Sequence, residues 1–127
     1  MPCRYLIHRD RRLVVSTGWE RVTFVELKAH QDQLGGDPDF DPTFNQLLDG
    51  TEVIELAVSI GQVRSLATRK LFSPTSRRAF VAPNPVVFGV GRMWTAYHEM
   101  ATGLENVKIF YDLAAALKWL GLDELPQ

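Results

Sequence analysis

A chain of 127 residues that is 46% apolar and 23% charged is long enough to bury a core without staples and too apolar to stay disordered. Its 14 basic and 15 acidic residues nearly cancel, which removes the electrostatic reason to expect nucleic-acid or anionic-membrane binding. The single cysteine, Cys3, excludes an internal disulfide and a cysteine-based zinc cluster and fits a reducing compartment. Met1 to His8 lacks the apolar segment of a signal peptide, and no uncharged run approaches the roughly 18 residues of a membrane span. A soluble, cytoplasmic protein without a membrane span is expected.

The apolar runs Arg4–His8 and Leu13–Thr17, separated by Arg9-Asp10-Arg11-Arg12, predict a strand hairpin that ends at Gly18. Thr23 with Glu26 forms a capping-box pattern, because hydroxyl and carboxylate can each satisfy an amide left free at a helix start. The helix this predicts runs to Leu34 and stops at Gly35-Gly36. Asp37-Pro38-Asp39-Phe40-Asp41-Pro42 predicts an ordered turn that seats Phe40 and Phe44 on the core. Phe44–Asp49 reads as a strand, resumed at Val53–Val58 beyond Gly50. Ser59 with Gln62 repeats the capping box, and Ile60, Val63, Leu66, Ala67 and Leu71 follow at helical spacing until Pro74.

Arg78–Ala82 predicts a further strand. Asn84-Pro85 supplies a cap and a first-turn proline to a helix whose apolar stripe is Val86, Val90, Met93, Trp94, Tyr97 and Ala101, ending at Gly103. Val107–Tyr111 is the last strand, and Asp112 caps a helix carrying Leu113, Ala116, Leu117 and Leu120 on one side, closed by Gly121. No linker or repeat divides the chain, so residues 1–127 read as a single domain. The order β-β-α-β-α-β-α-β-α predicts an α/β fold. Its single five-stranded sheet is mostly parallel, with one antiparallel strand from the N-terminal hairpin.

Several patterns invite a functional reading. Asp37, Asp39 and Asp41 copy the first ligand positions of a calcium loop, but Pro42 and Leu48 stand where that loop needs glycine and a bidentate glutamate. His8, His30 and His98 have no metal-ligand spacing, and neither a metal nor a cofactor is expected. Gly89-Val90-Gly91 falls inside its helix rather than in the strand-to-helix turn where a phosphate loop needs it, and fits close packing on the sheet instead. Arg64, Arg69, Arg77, Arg78 and Arg92 could build an anion site, against the commoner reading of solvated arginines or ordinary ion pairs. Asp49, at the carboxyl end of a central strand, stands where open α/β sheets place ligand crevices, or else caps the Gly50-Thr51 turn. Ser59, at a helix start, would set phosphate charge against the helix dipole if phosphorylated. No nucleophile elbow or serine–histidine spacing points to catalysis.

Three segments carry a resemblance: Asp37-Pro38-x-Phe40-Asp41-Pro42-x-Phe44-Asn45-Gln46-Leu47-x-Asp49, Arg77-Arg78-Ala79-Phe80-Val81-Ala82-Pro83, and Phe88-Gly89-x-x-Arg92-Met93. Together the chain resembles small bacterial proteins described as SpoIIAA-like, whose fold is akin to STAS domains and to CRAL-TRIO lipid-binding domains. The STAS likeness implies a non-catalytic interaction or regulatory module with a protein partner, switched by a serine that Ser59 would match. The surrounding Ala57-Val58-Ser59-Ile60-Gly61 lacks the acid and small polar pair of that switch. The CRAL-TRIO likeness implies the alternative: a carrier of a small apolar ligand, with a pocket between sheet and helices near the carboxyl strand ends. Asp49, Arg92, Met93, Trp94 and Tyr97, with Met100, are its candidate lining. A homodimer is expected from the frequency of such assemblies among small proteins.

Overall fold

The computed structural model describes residues 2–126. Its elements follow the predicted order: β1 (Cys3–His8), β2 (Leu13–Thr23), α1 (Phe24–Gly35), β3 (Asn45–Ala57), α2 (Ile60–Ala67), β4 (Arg78–Val81), α3 (Pro85–Thr102), β5 (Val107–Phe110) and α4 (Leu113–Leu120), with a short 3-10 turn over Arg9–Arg11. The five strands lie in sequence order across one sheet, β1 antiparallel to β2 and every other pair parallel.

Each helix start is encoded locally. Both capping boxes form: Thr23 accepts from the Glu26 amide, Ser59 from that of Gln62, and each partner side chain accepts the cap's own N–H. Asn84 Oδ1 accepts from the amides of Val86 and Val87, and Asp112 Oδ1 from that of Ala115. At the far ends of α3 and α4, Gly103 and Gly121 take the left-handed conformation (φ 72° and 76°) that ends a helix cheaply only at glycine.

The strands depart from expectation in one respect. Gly18 does not end β2 and Gly50 does not interrupt β3; both strands run on as a two-stranded ribbon beyond the carboxyl end of β4. The register shift between Thr17 and Trp19 absorbs Gly18 and Gly50 as a bulge, and a second, between Glu20 and Arg21, leaves Ile54 as the extra residue of β3, with Glu20 at a φ of 56°. Beyond Asp49, β3 has no strand on its β4 side among the described residues.

Because each parallel crossover advances in the same direction, right-handed connections place α1, α2 and α3 on one face of the sheet. α4 takes the other, where Ala116, Leu117 and Leu120 pack on Leu47, Ala79 and Val81. Burying such a leucine contributes roughly 1.5–3 kcal/mol. On the three-helix face, Val22, Val53, Ala82 and Val87 form one cluster, and Val14, Leu34 and Phe44 another, with Phe40 against it.

The stripe predicted on α3 is rotated by about one position. Val87, Gly91 and His98 are the buried residues, whereas Val86 and Met100 are 75% and 80% exposed. Gly91 sets this orientation, since a Cβ there would lie 2.5 Å from Ile109 Cδ1. Close packing on the sheet therefore accounts for Gly91 but not for Gly89, which faces open space.

Candidate functional site

Parallel register lines up side chains in rows across the three-helix face. One row is Val14, Gln46, Arg78 and Val107; the next is Ser16, Leu48, Phe80 and Ile109. α1 packs on β1 and β2, and α3 on β3 and β5, with no substantial contact between the two helices. A groove remains over β2 and β3, so Leu48 on the central strand is only half-buried.

The groove has two lobes that share Leu27, His30, Leu48 and Trp94. The first, toward the carboxyl strand ends, is a cavity of about 60 Å³ walled by Val22, Val53, Leu56 and Phe80. Gly18 and Gly50 floor it, and a Cβ at Gly50 would come within 2.7 Å of the Val81 carbonyl oxygen. The second lobe, about 40 Å³, lies toward the amino ends of β3 and β4, among Gln46, Leu71, Phe72 and Arg78.

Polar groups concentrate here. Gln46 Nε2 donates to Ser16 Oγ at 3.0 Å, and Ser16 Oγ lies 2.8 Å from His30 Nε2. All three residues are buried. Burial holds His30 below the ordinary imidazole pKa, so the ring is neutral near pH 7 and shares a hydrogen bond with Ser16 through Nε2. The Ser16–His30 pair is buried in the floor, and no carboxylate of the described residues bonds the ring's second nitrogen, so the pair lacks the orienting third member of a nucleophilic site.

Arg78 is the exceptional group. Its guanidinium lies over the Phe72 ring, 5.0 Å from the centroid, and its buried Nε has no hydrogen-bond partner. No carboxylate of the described residues forms an ion pair with it. Burial pushes its pKa down to about 10, leaving it charged at neutral pH. Arg78 is therefore half-buried and without an ion-pair partner, which departs from the ordinary ion pair at this one arginine. Arg69, on the rim of the same lobe, pairs with Asp32, and Arg77 donates to the Trp119 carbonyl at 3.0 Å.

Of the candidate ligand residues, Trp94 and Asp49 border the groove, while Arg92, Met93, Tyr97 and Met100 line neither lobe. Asp49 Oδ1 accepts from the Thr51 amide and hydroxyl. Ser59 is exposed, its Oγ accepting from the Gln62 amide. Asp37 and Asp41 accept from the backbone of their own turn, and Tyr5 Oη donates to Asp37 at 2.8 Å. Among the described residues no group of three histidine, cysteine or acidic side chains could hold a metal, and no helix is long and apolar enough to cross a membrane.

Sequence reasoning missed Ser16, His30 and Gln46 as a group because they come from three separate elements. Arg78 carried a signal: strand alternation puts it on the side of Phe80, inside a sheet covered on that face.

A second feature lies at the carboxyl end of the sheet, where α1, α2 and α3 begin. Of seven large apolar residues that are strongly exposed among the described residues, five lie there: Val25, Ile54, Ile60, Val86 and Tyr111. Tyr111 stacks on Phe88 at 3.7 Å. Ile54 projects from the part of β3 that has no β4 neighbour.

Comparison with known proteins fits the architecture. No family model matches the chain, and no curated protein matches it. Among solved structures it is similar to an uncharacterized protein of the DUF3478 family from Shewanella loihica PV-4, described as having a SpoIIAA-like fold. The identity is 20% over 93% of both chains, with a TM-score of 0.59. The fold is SpoIIAA-like, as the resemblance implies.

Proposed function

We propose that this chain is a non-catalytic interaction or regulatory module that binds a protein partner through the carboxyl end of its sheet. The exposed apolar rim carries the reading: Val25, Ile54, Ile60, Val86 and Tyr111 gather at one end of the sheet, where the edge of β3 beyond Asp49 is also unpaired. Apolar side chains scattered singly need no explanation, whereas a concentration beside a free strand edge fits a docking surface. A second copy of the chain is the simplest partner, giving a soluble homodimer. Sedimentation equilibrium of the wild type and of the double variant Ile54→Lys, Val86→Lys tests this. The expected result is a wild-type dimer and a folded, monomeric variant. A wild type that is monomeric at high concentration and captures the same host proteins as the variant contradicts it.

The groove favours a second reading, a small-ligand carrier. A partly open apolar lobe beside a second lobe carrying a few polar groups, between sheet and helices, is the usual form of such a site, at a small scale. Native mass spectrometry of protein purified gently from its host tests it. A mass excess lost on denaturation supports the carrier, and a clean apo mass opposes it.

A further inference from the structure

Arg78 is a half-buried cation whose Nε is shielded from solvent without a hydrogen-bond partner and whose counter-charge is missing. A polar N–H shielded from water is costly unless a hydrogen bond offsets it. Here Nε is unpartnered and the second lobe has no acidic side chain in its lining. The guanidinium lies over the Phe72 ring, and the lobe that Arg78 lines is otherwise walled by Gln46, neutral His30, Leu71 and Val107.

The charge balance restricts what could complete this site. Arg69 shares Asp32 with Lys28, His30 adds no charge and Arg78 has no acidic partner, so the lobe is net positive. A planar guanidinium with an adjacent amide matches one carboxylate in two-pronged geometry better than a doubly charged phosphate. The adjoining lobe, floored by Gly18 and Gly50 and walled by Val22, Leu56, Phe80 and Trp94, is apolar. At about 10–15 Å³ for each water-sized occupant, the first cavity holds on the order of four to six such units and the second about three to four. That suits a ligand of roughly ten non-hydrogen atoms, not a long lipid chain.

We infer that the groove binds a small free monocarboxylic acid, its carboxylate on Arg78 and Gln46 and its apolar stem in the lobe beside Trp94. The inference rests on the carrier reading of the groove and adds the chemical class of its ligand.

Hexanoate, hexan-1-ol and hexyl phosphate, titrated into the full chain by calorimetry and followed by tryptophan fluorescence, test it. The expected result is saturable binding of hexanoate at least about tenfold tighter than of hexan-1-ol, as one charge-assisted pair requires. Arg78→Met is expected to lose that advantage, with hexan-1-ol binding unchanged. Should Arg78→Met fail to fold, the acid-to-alcohol ratio on the wild type still decides. Equal binding of acid and alcohol overturns the carboxylate assignment while leaving the groove a ligand site. Tighter binding of hexyl phosphate than hexanoate overturns the choice of a single carboxylate. Absence of binding by all three overturns the inference, and a clean native mass from the host would then remove the carrier reading as well.

Discussion

The two faces of the sheet are built from the same strands and to different ends. Against α4, alternate residues Leu47, Ala79 and Val81 meet Ala116, Leu117 and Leu120 in an apolar contact. On the opposite face, one residue along each strand, Gln46, Leu48, Arg78 and Phe80 floor a groove that holds a buried histidine and an unpaired arginine. A sheet stabilised by one well-filled face can carry polar groups that weaken the other. Such local departures from packing logic concentrate where proteins bind things.

If this contrast is right, substitutions on the two faces should differ in cost and in cause. Leu47→Ala, on the α4 face, is expected to lose about 2–5 kcal/mol in urea unfolding, because Leu47 is fully buried and its truncation leaves a cavity in the core. Gly50→Ala would press a methyl group on the Val81 carbonyl and Phe80 ring. A loss of about 1–3 kcal/mol is expected, with the apolar lobe narrowed.

His30 sharpens the comparison through pH. Its folded pKa lies below its unfolded one, so the unfolded chain binds the extra proton first. The stability this contributes is fully present above the unfolded value near 6.5. It is lost as pH falls below that value toward the lower folded one. Urea midpoints measured from pH 8 to 5 should therefore fall with pH, and His30→Gln should flatten the part of the slope between pH 7 and 5. The smallest effect is expected at Arg78. Arg78→Met without ligand should unfold within about 1 kcal/mol of the wild type, since the desolvation relieved offsets the lost stacking on Phe72. A loss as large as that of Leu47→Ala would make Arg78 a structural residue.

What the sequence disclosed was the local part. Thr23 with Glu26, Ser59 with Gln62, Asn84-Pro85 and Asp112 each mark a helix start because the chemistry lies within three residues. Element order and sheet class followed from strands alternating with helices. The bulge at Gly18 and Gly50 was hidden, since a glycine that ends a strand and one that kinks it look alike until the partner strand is known. The stripe on α3 was misplaced because its contact is set by Gly91 against Ile109, a residue with no side chain to count. The groove was hidden for a further reason. Ser16, His30, Gln46 and Arg78 meet only through register across three strands and a helix. The rim was equally out of reach, because exposure at Ile54 and Val86 depends on where neighbouring strands stop.

The difference between the two faces is tested most directly by nuclear magnetic resonance of the labelled protein titrated with hexanoate, observing the Arg78 Nε–H and the backbone amides of both faces. The account predicts a shifted, exchange-protected Arg78 Nε–H with changes at Ser16, Gln46 and Leu48, and little change at Ala116 or Leu117. Changes centred on α4 or on the apolar rim, with Arg78 unmoved, would contradict it.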